Sequence, residues 1–557
     1  MSLPIDNTLP ELLARRLRDS GDRCAMLHKR GGKFAECVWA EVASEVVRAL
    51  EWFLRRGIVP GDRVAQVSEN RREWIIVDLA LAAIGAVHVP CHASLTGEQI
   101  AWQLEHSGAR GVIFSTIEQL EKLRPCAERL PADSWGMVFE GAPPRSLGPM
   151  QVAAWTESLA EARGDGLDLI HPEVVRSRRP EDLATILYTS GTTGEPKGVM
   201  LTHGNLVSNA KETVAAYGDG PTDTRLLMLP LSHIYARTCD LYTWLVRGTR
   251  LALAESRDTI LADCVAAKAT LLNAVPYFYA RVVRQLAAAG KLVPGAIRGV
   301  FGPSMRMLCC GGAPLAGETF DRYAADGLPI LEGYGLSEAS PVISVSTQTE
   351  YRRGAVGKPI EGIEVQIAAD GELLTRGPHV MQGYWKDPAA TSAVVCDGWL
   401  HTGDLGQFDA DGFLHITGRK KELIVLASGK KVAPAHLENL LTQDPFVIQA
   451  FIAGDGRNYL SALIVPDPDR LTAEVRARGL WVWTKAGALA HADIQALYES
   501  IIRERLAALS PHEQVRRFTL MDRGFTIESG ELTPKLSFRR AEIARNCAGM
   551  IDAMYRS

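Results

Sequence analysis

Apolar residues recur every three or four positions over residues 9–21 and again over 38–57. That spacing lines one face of an α-helix, and the glycine closing each stretch suits a helix C-terminus. Over 61–70 the pattern changes to a Gly-Asp turn and a short apolar run that reads as a strand. The longest apolar run, WIIVDLALAAIGAVHVPC at 74–91, is interrupted by Asp78 and His88. A membrane span needs ~20 predominantly apolar residues and tolerates a mid-bilayer charge poorly. The run is therefore predicted to be a buried helix leading into a short strand. Residues 88–115 continue as strand, loop, helix and strand. This alternation over about 8–160 predicts an α/β fold with mixed or parallel sheets.

The alternation resumes from 187 to about 345, where RLLMLPLS, TRLALA, TLLNAVP and SMRMLCCGGAPL are strand-like runs mostly followed by helical stretches. From about 354 to 418 short strands and Gly/Asp turns take over, as in IEVQIAADGELLTRG and DADGFLHITG, and predict hairpins on a small β-rich unit. After Arg419 an α+β segment follows. The predicted organisation is an N-terminal domain over 1–418, including the β-rich unit, and a small C-terminal domain over 419–557. No repeat of 20–50 residues and no low-complexity tract stands out.

Composition narrows the class. Of the 557 residues, 46% are apolar and 23% charged, which fits a globular chain and argues against disorder. A net charge of −4 gives no basic excess for a nucleic-acid backbone, and the run Arg419–Lys421 is too small to supply one. The N-terminal stretch lacks the basic-then-apolar order of a secretory signal. The ten cysteines include no CxxC pair, so zinc and thioredoxin-like readings lack their spacing. Reduced thiols in a cytoplasmic protein are expected.

The densest chemical signal is ILYTSGTTGEPKGVMLTHGNL at 186–206. A strand ends in a loop carrying the hydroxyls of Thr189, Ser190, Thr192 and Thr193, the glycines Gly191 and Gly194, and then Lys197. Glycines let backbone N–H groups approach an anion, and hydroxyls and an ammonium add donors. The loop reads as a polyphosphate cradle. It is not the GxxxxGK[ST] loop, because Gly198 follows Lys197, so a P-loop hydrolase fails on spacing.

YTSGTTGEPKGV resembles the signature of the adenylate-forming superfamily, which includes acyl- and aryl-CoA synthetases, luciferases and the adenylation domains of peptide synthetases. The resemblance covers nearly the whole chain, with further motifs in the family's order. It implies two steps. A carboxylate attacks the α-phosphate of ATP to give acyl-AMP and pyrophosphate, and a thiol, usually coenzyme A, then displaces AMP. In CCGGAPL it implies that Gly312, Ala313 and Pro314 line the adenine. In EGYGLSEAS it implies a nucleotide surface from Gly333, Tyr334, Gly335, Leu336 and Ser337, with Glu338 and Thr189 on Mg²⁺. The glycines beside Tyr334 let its ring lie against a base. WLHTGDLG is read as placing Asp404 at a strand end, where its carboxylate could accept the ribose hydroxyls, and the resemblance gives both Asp404 and Arg419 the ribose. The family's C-terminal domain turns about a residue just after this arginine, here Lys421. SGKK at 428–431 would then enter the site, with Gly429 leaving room for the pantetheine arm.

The resemblance gives catalytic parts to Lys197, His233, Glu338 and a C-terminal lysine. Long-chain relatives read like LTPTLKxxR there, whereas this chain has LTPKLSFRR, with Ser537 aligned to the lysine and Lys535 two residues earlier. Residues two apart in an extended segment share a face, ~7 Å apart, so the role is assigned to Lys535. LPLSHIYAR at 229–237 resembles the long-chain branch, which implies that His233 and Tyr235 lie near the acyl carboxylate or the tunnel wall. NAVPYFYARV departs from that branch by carrying Tyr277 where arginine is common. The expected function is ATP-dependent activation of a long-chain fatty acid to its coenzyme A thioester. An acyl-AMP ligase, an aryl or hydroxy-acid ligase and a non-catalytic nucleotide-binding homologue stay open. A long acyl substrate is delivered from a bilayer, so peripheral contact with the inner membrane face is compatible with a cytoplasmic protein, although no amphipathic basic helix stands out. A homodimer is also left open.

Overall fold

The computed structural model describes residues 6–131, 133–160, 162, 177–189, 195–526, 528–532 and 538–556. The chain divides into two compact units. The first comprises Met1–Gly312, Arg322–Gln366 and Leu374–Thr402, and the second Ala313–Asp321, Ile367–Leu373 and Gly403–Ser557.

Two nine-stranded sheets build the first unit. One runs in the order Lys358–Pro359, Val342–Val345, Ile330–Gly335, Met307–Cys310, Leu271–Ala274, Thr224–Leu227, Arg250–Leu253, Cys24–Arg30 and Lys33–Val38. Its six central strands pair in parallel and its edges antiparallel. The other runs Gly383–Tyr384, Lys197–Thr202, Leu183–Thr189, Val87–Cys91, Arg63–Val67, Gly111–Thr116, Trp135–Glu140, Met150–Ala154 and Ser146–Leu147. The predicted early helices are Leu9–Ser20 and Trp39–Arg55. The first starts in a capping box between Thr8 and Glu11.

The apolar run at 74–91 folds as predicted, into the buried helix Arg72–Ile84 and the buried strand Val87–Cys91. Its two interruptions meet in the core. Asp78 Oδ1 lies 2.8 Å from His88 Nδ1, and the Tyr242 hydroxyl donates to Asp78 Oδ2 at 3.1 Å. The Arg237 guanidinium pairs with the Asp78 carboxylate and donates to Thr185 Oγ1 at 2.7 Å. The Thr185 hydroxyl donates to the His88 carbonyl at 2.7 Å. All five side chains are buried. Burial works to raise the Asp78 pKa, but Arg237 and the bond to His88 hold it below the ordinary carboxylate range. Burial also pushes His88 down to about 4, so its ring is neutral.

A five-stranded sheet joins Glu364–Ile367, Glu372–Arg376, Trp399–Phe408 and Val395–Cys396, with Leu414–Arg419 also on Trp399–Phe408. Within the predicted β-rich stretch a helix, Pro388–Val394, was not anticipated. It is set by Pro388 in its first turn and by Asp387, whose carboxylate accepts from the Ala390 N–H.

In the second unit, Leu460–Pro466 is flanked by Val447–Ala453, antiparallel, and Val515–Leu520, parallel. Leu460, Ala462 and Ile464 face one core, formed with helices Pro434–Thr442 and Ala492–Leu506. Leu463 and Val465 face another, formed with Phe525 and Ile543. A strand covered on both faces must be apolar at nearly every position, as YLSALIVP is. All ten cysteines are free. No helix among the described residues is long and apolar enough to cross a membrane.

Removing one member of a buried ion pair leaves the other unpaired and costs ~3–5 kcal/mol. Asp78→Ala is therefore expected to lower the urea midpoint of unfolding by that equivalent. Arg129→Ala, which breaks two exposed pairs with Glu98 and Glu105, leaves the midpoint unchanged. Equal effects of the two substitutions would contradict the assignment.

Candidate active site

Four neighbouring parallel strands, Thr224–Leu227, Leu271–Ala274, Met307–Cys310 and Ile330–Gly335, end at the same edge of their sheet. Open α/β sheets bind ligands beyond the carboxyl ends of such strands. The segments leaving this edge carry His233, Tyr277, Gly312 and Glu338. Two residues from the other sheet fix the first of these segments. Asn70, after Arg63–Val67, donates from Nδ2 to the Leu229 carbonyl at 2.7 Å and accepts from the Leu231 N–H at 2.8 Å. His92, after Val87–Cys91, bonds the Ser232 hydroxyl at 2.7 Å. His233 caps the short helix Ile234–Ala236, its Nδ1 accepting from the Tyr235 N–H at 3.2 Å. Tyr277 is exposed, under the Arg284 guanidinium.

Tyr235 packs at this edge beside Gly311. A methyl group on Gly311 would come within 3.4 Å of its ring and 3.3 Å of the Gly333 carbonyl. Gly335 has a packing reason of its own, since a Cβ there would lie 1.9 Å from the Pro341 carbonyl oxygen. Ala313 and Pro314, next in the chain after Gly312, fall in the second unit.

The predicted phosphate loop connects two antiparallel strands, Leu183–Thr189 and Lys197–Thr202, whose register sets Thr189 opposite Lys197. Ser190, Gly191, Thr192, Thr193 and Gly194 lie outside the described residues. Strand Gly383–Tyr384 pairs with Lys197–Thr202 and brings Tyr384 to this hairpin. The Lys197 ammonium lies 4.9 Å from the Tyr384 ring centroid. The Tyr384 hydroxyl donates to Glu338 Oε1 at 2.9 Å, and the Met381 N–H donates to the Glu338 carbonyl at 2.8 Å. Thr189, Lys197, Tyr384 and Glu338 thus form one linked cluster. Burial first, and then the Glu338 charge, raise the Tyr384 pKa and keep the phenol a donor. Leu336 and Ser337 lead into Glu338 through a short 3₁₀ turn.

In the second unit, Asp404 is not at a strand end as the sequence suggested. It sits inside the ten-residue strand Trp399–Phe408, which continues to Phe408 because Leu414–Arg419 pairs along it. Arg419 lies directly opposite, its Nε 2.8 Å from Asp404 Oδ1. The carboxylate is buried and the guanidinium half-exposed. The neighbouring residues are held by the buried Glu372. Its Oε1 accepts from the Gly403 N–H at 2.9 Å and its Oε2 from the Lys420 ammonium at 2.8 Å. Gly429 turns the hairpin Ile424–Val425/Lys431–Val432 at φ +77°, a conformation that favours glycine, with open space around a notional Cβ. Lys535 and Ser537 lie outside the described residues. The residues on either side are anchored, Leu532 and Phe538 by a mutual β-bridge and Glu531 by Arg523.

Among the described residues no group of three or more His, Cys, Asp and Glu side chains could hold a metal ion. A single carboxylate beside a hydroxyl-rich loop fits Mg²⁺, which binds through one or two carboxylates plus the phosphates of a nucleotide. Sequence reasoning misses Tyr384, Glu372, Asn70 and His92. None lies in a chemically distinctive string, and strand pairing alone reveals them.

A hydroxyl- and glycine-rich hairpin beside a parallel sheet edge defines a nucleotide-binding α/β enzyme. The chain matches the AMP-binding enzyme family over residues 13–385 and the AMP-binding enzyme C-terminal domain over 421–557. It is 33% identical to the long-chain-fatty-acid–CoA ligase FadD15 of Mycobacterium tuberculosis, covering 97% of this chain and 95% of that one. It is 30% identical to the peroxisomal long chain acyl-CoA synthetase 7 of Arabidopsis thaliana, covering 94% and 82%. A crystal structure of the anthranilate CoA ligase AuaEII in complex with anthranoyl-AMP matches with a TM-score of 0.77 at 19% identity, over 99% of each chain. ATP-bound MatB from Rhodopseudomonas palustris matches with a TM-score of 0.76 at 23% identity, over 98% of this chain and 100% of that one. The chain belongs to the AMP-binding, adenylate-forming enzyme family.

Beside the Glu338 turn, the buried His379 bonds Thr375 Oγ1 at 2.9 Å through Nε2 and accepts from the Ser340 hydroxyl at its carbonyl. Burial pushes its pKa down from 6.5 to about 4. Between these values the unfolded chain binds a proton that the folded chain refuses, so stability falls as pH is lowered. Wild type is expected to lose urea stability relative to His379→Gln as pH drops from 6.5 toward 4. A pH-independent difference would refute this.

Proposed function

We propose that this chain is an ATP-dependent, AMP-forming fatty acyl-CoA ligase of the long-chain type. The observation that carries the reading is its similarity, along nearly its whole length, to ligases of that name. A fatty carboxylate attacks the α-phosphorus of ATP and pyrophosphate leaves. The thiol of coenzyme A then attacks the acyl carbon of acyl-AMP, and AMP leaves.

Lys197 and the loop hydroxyls of Thr189, Ser190, Thr192 and Thr193 hold the phosphates, with Gly191 and Gly194 admitting them to the backbone. Glu338 and Thr189 hold Mg²⁺, whose chemistry is to offset phosphate charge. The Tyr384 hydroxyl fixes the carboxylate of Glu338 by donating to it. Gly312, Ala313 and Pro314, and the stretch Gly333, Tyr334, Gly335, Leu336 and Ser337, take the base. Asp404 takes the ribose hydroxyls, with Arg419 as its charge partner. His233 positions the acyl carboxylate from its capped, clamped turn. The Lys535 ammonium stabilises charge developing at the α-phosphate. The chain turns at Lys421, between an N-terminal domain over 1–418 and a C-terminal domain over 419–557. Gly429 then leaves room for pantetheine. An acyl tunnel selects by length, since each buried CH₂ contributes ~0.8 kcal/mol. The acid reaches the enzyme from a membrane surface that it contacts peripherally.

Fatty acids graded by length, supplied with ATP and coenzyme A, are expected to release AMP and pyrophosphate. Release of ADP would overturn the reading, and a requirement for a carrier protein or an aryl acid would redirect it. Lys535→Ala should slow acyl-AMP formation about 10²–10³-fold and spare thioester formation from supplied acyl-AMP. Unchanged pyrophosphate exchange would sink that assignment. Glu338→Ala should move the Mg²⁺ titration of the first step to higher concentration.

Lys421→Pro fixes φ near −65° and is expected to impair one half-reaction while sparing the other. Equal residual rates in both would argue against the hinge.

A further inference from the structure

Trp481 and Trp483 are 87% and 89% exposed, while every other exposed large apolar side chain among the described residues is at 60% or less. Single exposed apolar residues are ordinary. Two indoles with ring centroids 6.4 Å apart, at the tip of one loop, are not. The tip is held at both ends. Before it, the N–H of Gly479 donates to the Arg476 carbonyl and that of Leu480 to the Val475 carbonyl, while Leu480 packs against the domain core. After it, Thr484 caps helix Lys485–Ala490 by accepting from the Gly487 N–H at 3.0 Å. Neither ring packs into the domain that so firmly supports it.

The charge around the tip is mainly basic. Arg476, Arg478 and Lys485 flank it and all are exposed. Glu474 is paired with Arg478, and the Lys485 ammonium donates to the Asp522 carbonyl. Asp467 and Asp469 lie at the far end of helix Pro468–Ala477, where Asp467 caps it. Tryptophan suits a boundary with one apolar and one wet side, and nearby basic groups are drawn to anionic headgroups.

We propose that the Trp481–Trp483 tip is a membrane-docking surface, inserting both indoles at the headgroup level of an anionic bilayer while Arg476, Arg478 and Lys485 meet lipid phosphates. The proposal rests on the reading of peripheral membrane contact and assigns its location. A loop of three residues cannot span a bilayer and anchors reversibly.

The test uses the full chain with vesicles of phosphatidylcholine alone or mixed equally with phosphatidylglycerol. Wild type is expected to sediment with the mixed vesicles more than with phosphatidylcholine alone, and brominated lipid should quench part of its tryptophan emission. Trp481→Ala/Trp483→Ala should lose sedimentation and quenching, yet keep its unfolding midpoint and its AMP release with detergent-dispersed acid. Undiminished vesicle binding by the double variant would overturn this surface while leaving membrane contact intact. Failure of wild type to bind either vesicle would overturn both. Equal binding to the two vesicle types would overturn the basic contribution. A wild-type dimer that the double substitution splits into monomers, without vesicle binding, would reassign the tip to self-association.

Discussion

A guanidinium with no access to water sits where four segments of the first unit meet. Arg237 is tolerable there only because Asp78 answers its charge and Thr185 takes a further N–H. Each partner comes from a different element. Asp78 is on helix Arg72–Ile84, and Thr185 is on the strand that leads to the phosphate hairpin. Arg237 itself follows the turn that carries His233 and Tyr235. An isolated buried charge is far costlier than a displaced apolar contact. The pair therefore fixes the spacing between the turn carrying His233 and strand Leu183–Thr189 more sharply than packing alone. Neutral His88 joins this arrangement without adding a second positive charge.

From that fixed point the cluster of Thr189, Lys197, Tyr384 and Glu338 is built by strand pairing. Register places Thr189 against Lys197, and the added strand Gly383–Tyr384 delivers a phenol between Lys197 and Glu338. Tyr384 donates a hydrogen bond to the carboxylate while its ring faces the ammonium, so one side chain orients two charged groups. The parallel sheet does the same on a larger scale, because its strands finish at one edge wherever their loops begin in sequence.

How legible this was depended on how locally each feature is encoded. Helix Arg72–Ile84 and strand Val87–Cys91 were readable because an apolar run too short and too interrupted for a bilayer has one remaining solution. The strand ending at Thr189 was readable because its apolar run leads directly into contiguous hydroxyls and glycines. Asp404 was misplaced because nothing within WLHTGDLG reveals that Leu414–Arg419 pairs past it and prolongs the strand. Tyr384, Glu372 and Asn70 were invisible for the same reason, since each acts on a partner brought near only by the fold. Helix Pro388–Val394 did carry a local signal, Asp387 followed by Pro388, masked by the turn-rich composition around it.

The same pairing bears on where the chain can turn. Lys420 is held by two carboxylates, Glu372 at 2.8 Å and Asp370 at 2.6 Å, and Arg419 by Asp404. The strand Leu414–Arg419 and the residue after it are thus tied to the hairpin region containing Asp370 and Glu372. Rotation beginning before Lys420 would have to break these ion pairs and strip the buried Glu372 of its ammonium partner. Rotation beginning after it breaks neither. Lys421 lies just past the end of strand Leu414–Arg419, and hinges are commonly loop or element-terminal residues, which supports the proposal that the chain turns there.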